Sequence, residues 1–390
     1  VGQGSLNGPN TLGRLSAFTG RVTQSVVDPS ELLMQIYIDD PITTIRATPA
    51  RTRRLISMLT MIWLILGYNL SFHKAQKGFS VNWVGYTITT MEEKVRAQIK
   101  ESFLKDLATA TKEILSKNVI GRRKLRKYTG SANHVSNLLF AWRPFLDSLW
   151  AASAAGPKEQ MAGKAAWRSK HRKTRAPKGT VWTKQIKGSL RWILDFLSGV
   201  HGPLTREWLL HHYVDIYTTL RMVLDASPWG LGGVLFENDV PISYFTSRLT
   251  KDDVKLHRRP IGDSDGQQVW ESLVVLVALR AWKDVWLPRR LSVTIRGDNV
   301  SALYMAAQMK SKASPLVNKE LALLYTKAAF HPRHVEHIPG LTNGLADELS
   351  RIWEPDAGYK IPDALKHVSP VPIPIRNRKY YEVLTAKHVG

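Results

Sequence analysis

Residues 222–236 have the sequence MVLDASPWGLGGVLF, in which Asp225 interrupts an otherwise apolar strand pattern. Apolar stretches on both sides of a Pro- and Gly-containing turn predict two hairpin strands. A carboxylate inside an apolar strand is costly unless it is paired or binds a metal ion. This stretch therefore predicts a sheet and, within it, a functional acid.

The segments around this stretch extend the same sheet. Residues 214–249 have the pattern of hairpin strands, and residues 267–286 have that of a long apolar-faced helix. A strand ending at Asp298, a helix, a short strand and a final helix follow before residue 353. The order β-β-β-α-β-α-β-α over about 138 residues predicts a mixed sheet covered by helices.

Four acids lie on four of these elements: Asp225, Glu271, Asp298 and Asp347. Each acid alone is also explained as a helix cap or a turn residue. Together, at one end of a sheet, they are suited to hold two Mg²⁺ ions roughly 3.5–4 Å apart, with Mn²⁺ as a substitute. His337 lies ten residues before Asp347, and an imidazole side chain is suited to relay a proton to a leaving group.

Residues 220–353 resemble the ribonuclease H domain of reverse transcriptases, and the last matching string is similar to retrotransposon and pararetrovirus versions. The resemblance implies Asp225, Glu271, Asp298 and Asp347 as metal ligands, with His337 as a mobile auxiliary residue. It implies an RNase H-like, five-stranded mixed sheet flanked by helices. The matching strings are LDASPWGLGGVLF, VWESLVVLVALRAW, IRGDNVSALYM and HIPGLTNGLADELSR.

The segment before the Glu271 helix, residues 247–268, is longer and more polar than this resemblance leads us to expect. Two interpretations stay open for it. It is either a loop that contacts substrate or a simple insertion.

A second acidic site is predicted near the beginning of the chain. Residues 32–45, LLMQIYIDDPITTI, have the pattern of a strand, a tight turn and a second strand, with Asp39 and Asp40 at the tip. Adjacent carboxylates repel each other unless a cation lies nearby. The alternative is a solvated turn, and Pro41 restricts Asp40 to extended conformations.

Four segments around this tip resemble reverse transcriptases in order and spacing. They are residues 2–18, YIDD at 37–40, residues 66–78 and the hairpin at 81–89. The resemblance implies Asp39 and Asp40 as polymerase metal ligands, with Tyr37 and Lys74 in the nucleotide site.

Further along, residues 98–150 look like the thumb of the same family. Residues 191–199, RWILDFLSG, are similar to the connecting segment of DIRS-type retrotransposons. In this family the fingers and a first palm motif, which carries another metal-binding Asp, precede the segment that matches residue 1.

We therefore interpret the chain, which begins with Val1, as a fragment or a processed product. Two-metal polymerisation needs the further carboxylate. We do not expect this chain alone to polymerise DNA, unless a partner chain supplies the fingers and the first palm motif.

The charge distribution predicts a polyanionic partner: RNA, DNA or an RNA–DNA hybrid. The chain has 55 Lys and Arg against 32 Asp and Glu, a net charge of +23, and residues 1–215 contribute most of the excess. Its basic runs are also explained as a solvated linker or a nuclear targeting stretch. The candidate nucleic-acid-binding residues are Arg122, Arg123, Lys124, Lys170, Arg172, Lys173 and Arg175.

The predicted fold is multidomain, with α/β and α+β parts. The predicted divisions are a partial palm (1–97), a helical thumb (98–155), a basic linker or connection (156–213), an RNase H-like domain (214–353) and a Pro-rich, extended and partly mobile tail (354–390). The absence of cysteine suits a reducing, intracellular compartment, and no apolar run reaches the roughly 20 residues of a membrane span.

The function predicted from the sequence is Mg²⁺-dependent cleavage of the RNA strand of RNA–DNA hybrids. The alternative from a different class is a domesticated, catalytically silent RNA-binding subunit of a ribonucleoprotein. Four converging acids favour the enzyme, because a purely structural subunit has no need of them.

Overall fold

The computed structural model describes residues 8–154, 176–213, 219–309, 314–332 and 334–385. The chain divides into two compact units, Val1–Thr90 and Met91–Gly390. Within the described ranges, every helix is too short or too polar to cross a lipid bilayer. The predicted five-part division is finer than these two units and stays a prediction.

The first unit is built on the predicted hairpin. Its tip is a two-residue turn, with Tyr37 opposite Asp40 in antiparallel register. Pro49 and the apolar spacing after it predict a helix that starts there, which the structure confirms, and Thr48 caps it by accepting a hydrogen bond from the Arg51 backbone N–H. The elements are α1 (Gly8–Ser25), β1 (Leu32–Tyr37), β2 (Asp40–Ile45), α2 (Pro49–Ile65), β3 (Ser80–Trp83) and β4 (Tyr86–Thr90).

The second unit begins with a helical region. The apolar spacing predicts two amphipathic helices here, residues 94–117 and 122–150, and the structure differs in detail. Residues 94–99 form a strand that pairs with residues 205–209, and the second predicted helix is interrupted after Leu138. The segment KVRAQI alternates polar and apolar residues, which suits a strand better than a helix. The elements are β5 (Lys94–Ile99), α3 (Glu101–Leu115), β6 (Val119–Gly121), α4 (Arg122–Leu138), α5 (Arg143–Ala154), β7 (Thr180–Trp182), α6 (Thr183–Leu197) and β8 (Thr205–Leu209).

A five-stranded mixed sheet forms the rest of the second unit, as predicted. Its strands are β9 (Leu220–Ala226), β10 (Gly230–Glu237), β11 (Val240–Arg248), β12 (Val293–Gly297) and β13 (His334–His337). They are arranged in the order β11-β10-β9-β12-β13, with the first three antiparallel and β9, β12 and β13 parallel. The helices are α7 (Lys251–His257), α8 (Gln267–Ala281), α9 (Lys283–Trp286), α10 (Val300–Gln308), α11 (Pro315–Lys327), α12 (Gly344–Arg351) and α13 (Glu382–Thr385). The fold is therefore a mixed α/β architecture.

The direction of the strands brings their functional ends together. Because β9, β12 and β13 are parallel, their carboxyl ends meet at one edge of the sheet, which we call the carboxylate edge. Asp225 lies near the end of β9 and Asp298 directly follows β12. Helix α8 begins at the same edge, because the Gln267 side chain donates to the Ala226 carbonyl oxygen.

Close packing of α12 on the sheet depends on Gly232. A Cβ atom at this position would lie 2.4 Å from the Ala346 carbonyl oxygen and 2.5 Å from the Ser350 backbone nitrogen. Glycine is thus required for the helix backbone to approach the strand. This approach places the end of α12 beside Asp225.

Up to residue 385, the C-terminal tail consists of extended segments, two 3₁₀ turns (Asp363–Leu365 and Arg378–Tyr380) and the short helix α13. Its predicted mobility stays a prediction. Pro370 forms a parallel bridge with Tyr244 at the edge strand β11. Arg376 and Tyr381 are buried, with exposed fractions of 2% and 0%. The tail is held because Arg376 forms a buried ion pair with Asp253 at 2.9 Å.

Candidate metal centre

Three of the four predicted acids meet at the carboxylate edge. Asp225, Glu271 and Asp298 each present an oxygen, and these oxygens all lie within 4.8 Å of one another. Asp225 and Glu271 are buried, whereas Asp298 is partly exposed. The three residues come from a central strand, a buried helix and the end of a second strand, so rigid elements hold the cluster.

Asp225 is held by two side chains from the α12 region. The Ser350 hydroxyl donates to Oδ2 at 2.7 Å, and the Asn343 side-chain amide donates to Oδ1 at 3.2 Å. The same amide also donates to the Leu224 carbonyl oxygen at 3.1 Å. Both donors are buried, so the orientation of the Asp225 carboxylate is fixed by the packing of α12.

Glu271 lies in the second turn of α8, among apolar neighbours. The Gln267 side chain, one turn earlier, donates to Glu271 Oε1 at 2.7 Å. The Ala226 backbone also hydrogen-bonds to this carboxylate and favours its charged form. Gln267 and Ala226 therefore bind the Glu271 carboxylate and, through their own hydrogen bond, tie α8 to the end of β9.

The cluster is electrostatically unfavourable without a cation. Burial raises the pKa of Asp225 to about 7, the charges of Asp298 and Asp347 add to this, and the Ser350 hydrogen bond opposes it. Burial raises the pKa of Glu271 well above its ordinary value, and the charges of Asp225 and Asp298 contribute to the same direction. A cation at the cluster would reverse these effects by favouring the ionised carboxylates.

The donor set fits Mg²⁺. Carboxylate oxygens are the ligands that Mg²⁺ prefers, and Mg²⁺ usually keeps several of its water molecules. Asn343 Oδ1 and Gln267 Oε1 are buried acceptors with no hydrogen-bond partner among the described residues, and both belong to residues that contact the acids. These free oxygens suit the O–H donors of a hydrated cation.

Asp347, the fourth predicted ligand, lies outside the three-acid cluster. Its carboxylate accepts a hydrogen bond from Arg351 Nε at 2.6 Å, one turn along the same helix. Within the described residues, the other three acids form no salt bridge with Lys or Arg. The charge of Asp347 still raises the pKa of Asp225, so it acts on the site electrostatically.

His337 is exposed at the rim of the candidate centre. It is the last residue of β13 and lies opposite Gly297, which directly precedes Asp298. The loop that follows it also approaches the centre, because a Cβ at Gly340 would lie 3.5 Å from Asp298 Oδ2.

The predicted polymerase-like residues do not belong to the three-acid cluster that the described residues form. Asp39 and Asp40 are exposed at the hairpin tip, as is Tyr37, and Lys74 is exposed on a short 3₁₀ turn. The Asp40 backbone carbonyl accepts a hydrogen bond from the Trp83 indole at 2.9 Å, which ties the tip to β3. Their role stays a prediction.

The predicted nucleic-acid-binding residues divide into two groups. Arg122, Arg123 and Lys124 form the first turn of α4, and Lys124 forms a salt bridge with Glu113 at 2.7 Å. The remaining residues, Lys170, Arg172, Lys173 and Arg175, lie outside the described residues.

The prediction missed the residues that position the acids: Gln267, Asn343 and Ser350. Asn343 and Ser350 both lie within the string LTNGLADELSR that supported the resemblance, but no role was assigned to them. The available signal for Gln267 was its position four residues before Glu271, because residues four apart share a helix face.

No known family model matches the chain, and no curated protein matches it. Solved structures of foamy virus protease–reverse transcriptase do match. One, in complex with double-stranded DNA, is 15% identical, with 87% of this chain and 59% of that chain covered and a TM-score of 0.35. A second, a dRH form also in complex with double-stranded DNA, is 15% identical, with 86% and 49% covered and a TM-score of 0.38.

The native prototype foamy virus protein is 14% identical, with 87% of this chain and 38% of that chain covered and a TM-score of 0.21. The chain thus spans less than two thirds of the length of each of these proteins.

Proposed function

We propose that the protein hydrolyses the RNA strand of RNA–DNA hybrids with Mg²⁺ held at the carboxylate edge. The observation that carries this proposal is the meeting of Asp225, Glu271 and Asp298 within 4.8 Å at the end of a mixed sheet. Buried acids this close can all be ionised only with a cation beside them, and a phosphodiester substrate brings negative charge that such a cation would also attract. The net charge of +23 supports a nucleic-acid substrate.

The protein side of the mechanism follows from the contacts. Asp225, Glu271 and Asp298 would hold the metal, which when bound supplies Lewis-acid activation of water and stabilisation of the leaving oxygen. Ser350 and Asn343 keep the Asp225 carboxylate oriented, and Gln267 does the same for Glu271. His337 is positioned at the exposed rim to pass a proton to the leaving oxygen.

One observation favours the alternative, a catalytically silent RNA-binding subunit. Asp347 is paired with Arg351 rather than gathered with the other acids. In the enzyme, Asp347 would have to exchange this partner for the metal or act through its charge alone. In the silent subunit, the pair would be the final arrangement.

The test is cleavage of an end-labelled RNA–DNA hybrid with and without Mg²⁺, with the parent protein and Asp298→Asn compared. Asp356→Asn is the matched control, because Asp356 is exposed and has a positive φ of 60°, which asparagine tolerates. We expect Mg²⁺-dependent cutting of the RNA strand by the parent and the control only. Hybrid binding without cutting by any of the three proteins would favour the silent subunit.

The polymerase-like role of Asp39 and Asp40, with Tyr37 and Lys74, is a separate proposal. Primer extension by this chain, alone or with an added chain that carries the fingers, would test it. We expect extension only with the added chain, because two-metal polymerisation needs a further carboxylate.

A further inference from the structure

The polar segment before the Glu271 helix is anchored at both of its ends. Asp253 in α7 is fully buried and accepts hydrogen bonds from Arg376 Nε at 3.0 Å and Nη2 at 2.9 Å. His257, the last residue of α7, shares a 2.9 Å hydrogen bond with the Tyr381 hydroxyl. The C-terminal tail therefore fixes α7, and the residues after it leave from a rigid support.

The loop that follows α7 is anchored on the turn next to Asp225. The Gly262 backbone N–H donates to the Pro228 carbonyl oxygen at 2.9 Å. A Cβ at Gly262 would lie 3.4 Å from the Trp229 indole nitrogen, so loop and turn are in close contact. This turn begins two residues after Asp225, and the loop leads directly into the Glu271 helix.

Topology places the loop at the carboxylate edge. Strand β11 ends at Arg248, opposite Gly230, where β10 leaves the turn after Asp225. The segment from residue 249 to residue 266 thus starts and ends at the edge where the three acids meet.

Arg258 and Arg259 are exposed on this loop, and neither guanidinium has a hydrogen-bond or ion-pair partner among the described residues. Arg258 has a φ of 57°, in the left-handed region that favours glycine. Arg258 is the C-cap of α7, and its backbone N–H donates to the Val254 carbonyl oxygen, so the end of the helix accounts for this conformation.

The loop after α7 carries charges of both signs: Arg258 and Arg259 lie beside the end of α7, and the exposed carboxylates of Asp263 and Asp265 lie at the end that leads into α8. Burial lowers the pKa of His257 to about 4, so this imidazole is neutral at pH 7. Asp253 is neutralised by Arg376, and Asp263 accepts a hydrogen bond from the Asp265 backbone N–H in the turn that begins the next helix. Lys251 and Lys255 lie further back, on the exposed side of α7.

We propose that Arg258 and Arg259 bind backbone phosphates of the RNA–DNA hybrid and position it over the carboxylate edge. This inference rests on the proposed function, because it names the residues that present the hybrid to that site. Guanidinium groups suit this role, since they pair with phosphate oxygens through two parallel hydrogen bonds. Of the two interpretations left open for this segment, the proposal adopts the loop that contacts substrate.

The test measures the affinity of the full chain for a fluorescent RNA–DNA hybrid in EDTA, where no cleavage occurs, at several salt concentrations. The variant is Arg258→Ala/Arg259→Ala. The matched control is Lys283→Ala/Lys379→Ala, which removes two exposed cations near the far end of α8. We expect roughly tenfold weaker binding for the variant, and a salt dependence that loses about 0.9 in slope per phosphate contact, with no change for the control.

A second variant separates binding from folding. Arg258→Gly removes one guanidinium and relieves the strain at φ 57°, so it should be at least as stable as the parent. Weaker hybrid binding by this stable variant supports the proposal. Parent-like binding by the double variant, or an equal loss in the control, overturns it.

The outcome is distinguishable from failure of the proposed function. If the parent cleaves the hybrid and the double variant binds it as the parent does, the phosphate role is wrong and the nuclease stands. If the parent never cleaves but the double variant still loses hybrid binding, the nuclease is wrong and the phosphate role stands.

Discussion

The chain presents carboxylates in two contrasting surroundings. In the second unit, Asp225 and Glu271 are buried in a large core and converge with Asp298. In the first unit, Asp39 and Asp40 are exposed at the tip of a two-stranded hairpin, above a core of four buried residues. Water screens the charges of the exposed Asp39 and Asp40. The buried Asp225 and Glu271 can be ionised together with Asp298 only when a cation is present. Burial, rather than adjacency in sequence, therefore distinguishes the candidate metal centre from the acidic turn.

The largest difference between the two regions is expected in hybrid cleavage, when each region loses one carboxylate. Asp225→Asn should reduce Mg²⁺-dependent hybrid cleavage by more than about 100-fold, because even residues that merely support metal ligands are worth 10–100-fold. Asp39→Asn should leave cleavage unchanged. End-labelled hybrid cleavage at saturating Mg²⁺ measures both effects.

The thermal stability of the two variants provides the control. Asn at position 225 keeps a hydrogen-bonding side chain and removes a buried charge that repels Asp298, so metal-free Asp225→Asn should melt no lower than the parent. Equal cleavage losses in Asp225→Asn and Asp39→Asn would show that the exposed pair belongs to the same catalytic apparatus, and the comparison would fail.

The next largest difference concerns ion pairs. Arg376→Ala should destabilise the second unit by about 3–5 kcal/mol, because it leaves the Asp253 charge buried and unpaired. Arg51→Ala should cost less than about 1 kcal/mol, because the Arg51–Glu31 pair is exposed. Urea denaturation followed by tryptophan fluorescence measures the change for each variant.

A double variant tests the cause of the larger loss. Arg376→Met/Asp253→Leu removes both charges, so it should recover much of the stability that Arg376→Ala loses. If it recovers none, the tail is held by contacts other than the buried pair.

The fold was more predictable than the site. The hairpins, the Glu271 helix and the order of elements along the chain follow from apolar periodicity and turn residues, which are local signals. Strand β5 was open to prediction as well, because KVRAQI alternates polar and apolar residues over residues 94–99. Its pairing with β8, more than 100 residues away, has no signal in a short window of sequence.

At the site, residue type predicted the acids but not their partners. Ser350 and Asn343 reach Asp225 only because Gly232 lets α12 approach the sheet. That approach is a tertiary contact, which local sequence patterns do not reveal. The pairing of Asp347 with Arg351 is local, at a spacing of four residues on a helix, and was open to prediction. It was missed because the resemblance had already assigned Asp347 to the metal.

A smaller effect is expected from pH on the metal-free protein. The pKa of Asp225 is raised to about 7, so from about pH 4 to pH 7 the native state binds more protons than the unfolded state. Protonated Asp225 is compatible with the fold, and that stability is lost as the pH rises toward 7. The free energy of unfolding of the parent should therefore fall relative to Asp225→Asn across this window.

Urea titrations of both proteins in EDTA, at intervals from pH 5 to pH 8, measure this difference. Mg²⁺ should raise the free energy of unfolding of the parent, but not of Asp225→Asn, at the upper end of this pH range, where the carboxylate ligands are ionised. Parallel stability curves for the two proteins would mean that the buried cluster does not titrate as its surroundings indicate.

The smallest effect concerns the hairpin tip of the first unit. Ile38 has a φ of 58°, which is strained for a β-branched residue, and its side chain is 40% exposed. Ile38→Gly relieves a cost of about 1–2 kcal/mol but adds about 0.5–1 kcal/mol of chain entropy to the unfolded state. We expect a net stabilisation of up to about 1 kcal/mol, seen as slower hydrogen exchange of the β1 and β2 amides. Faster exchange would mean that the Ile38 side chain makes contacts that outweigh its strain. The exposed tip would then be held by specific side-chain contacts, as the buried cluster is.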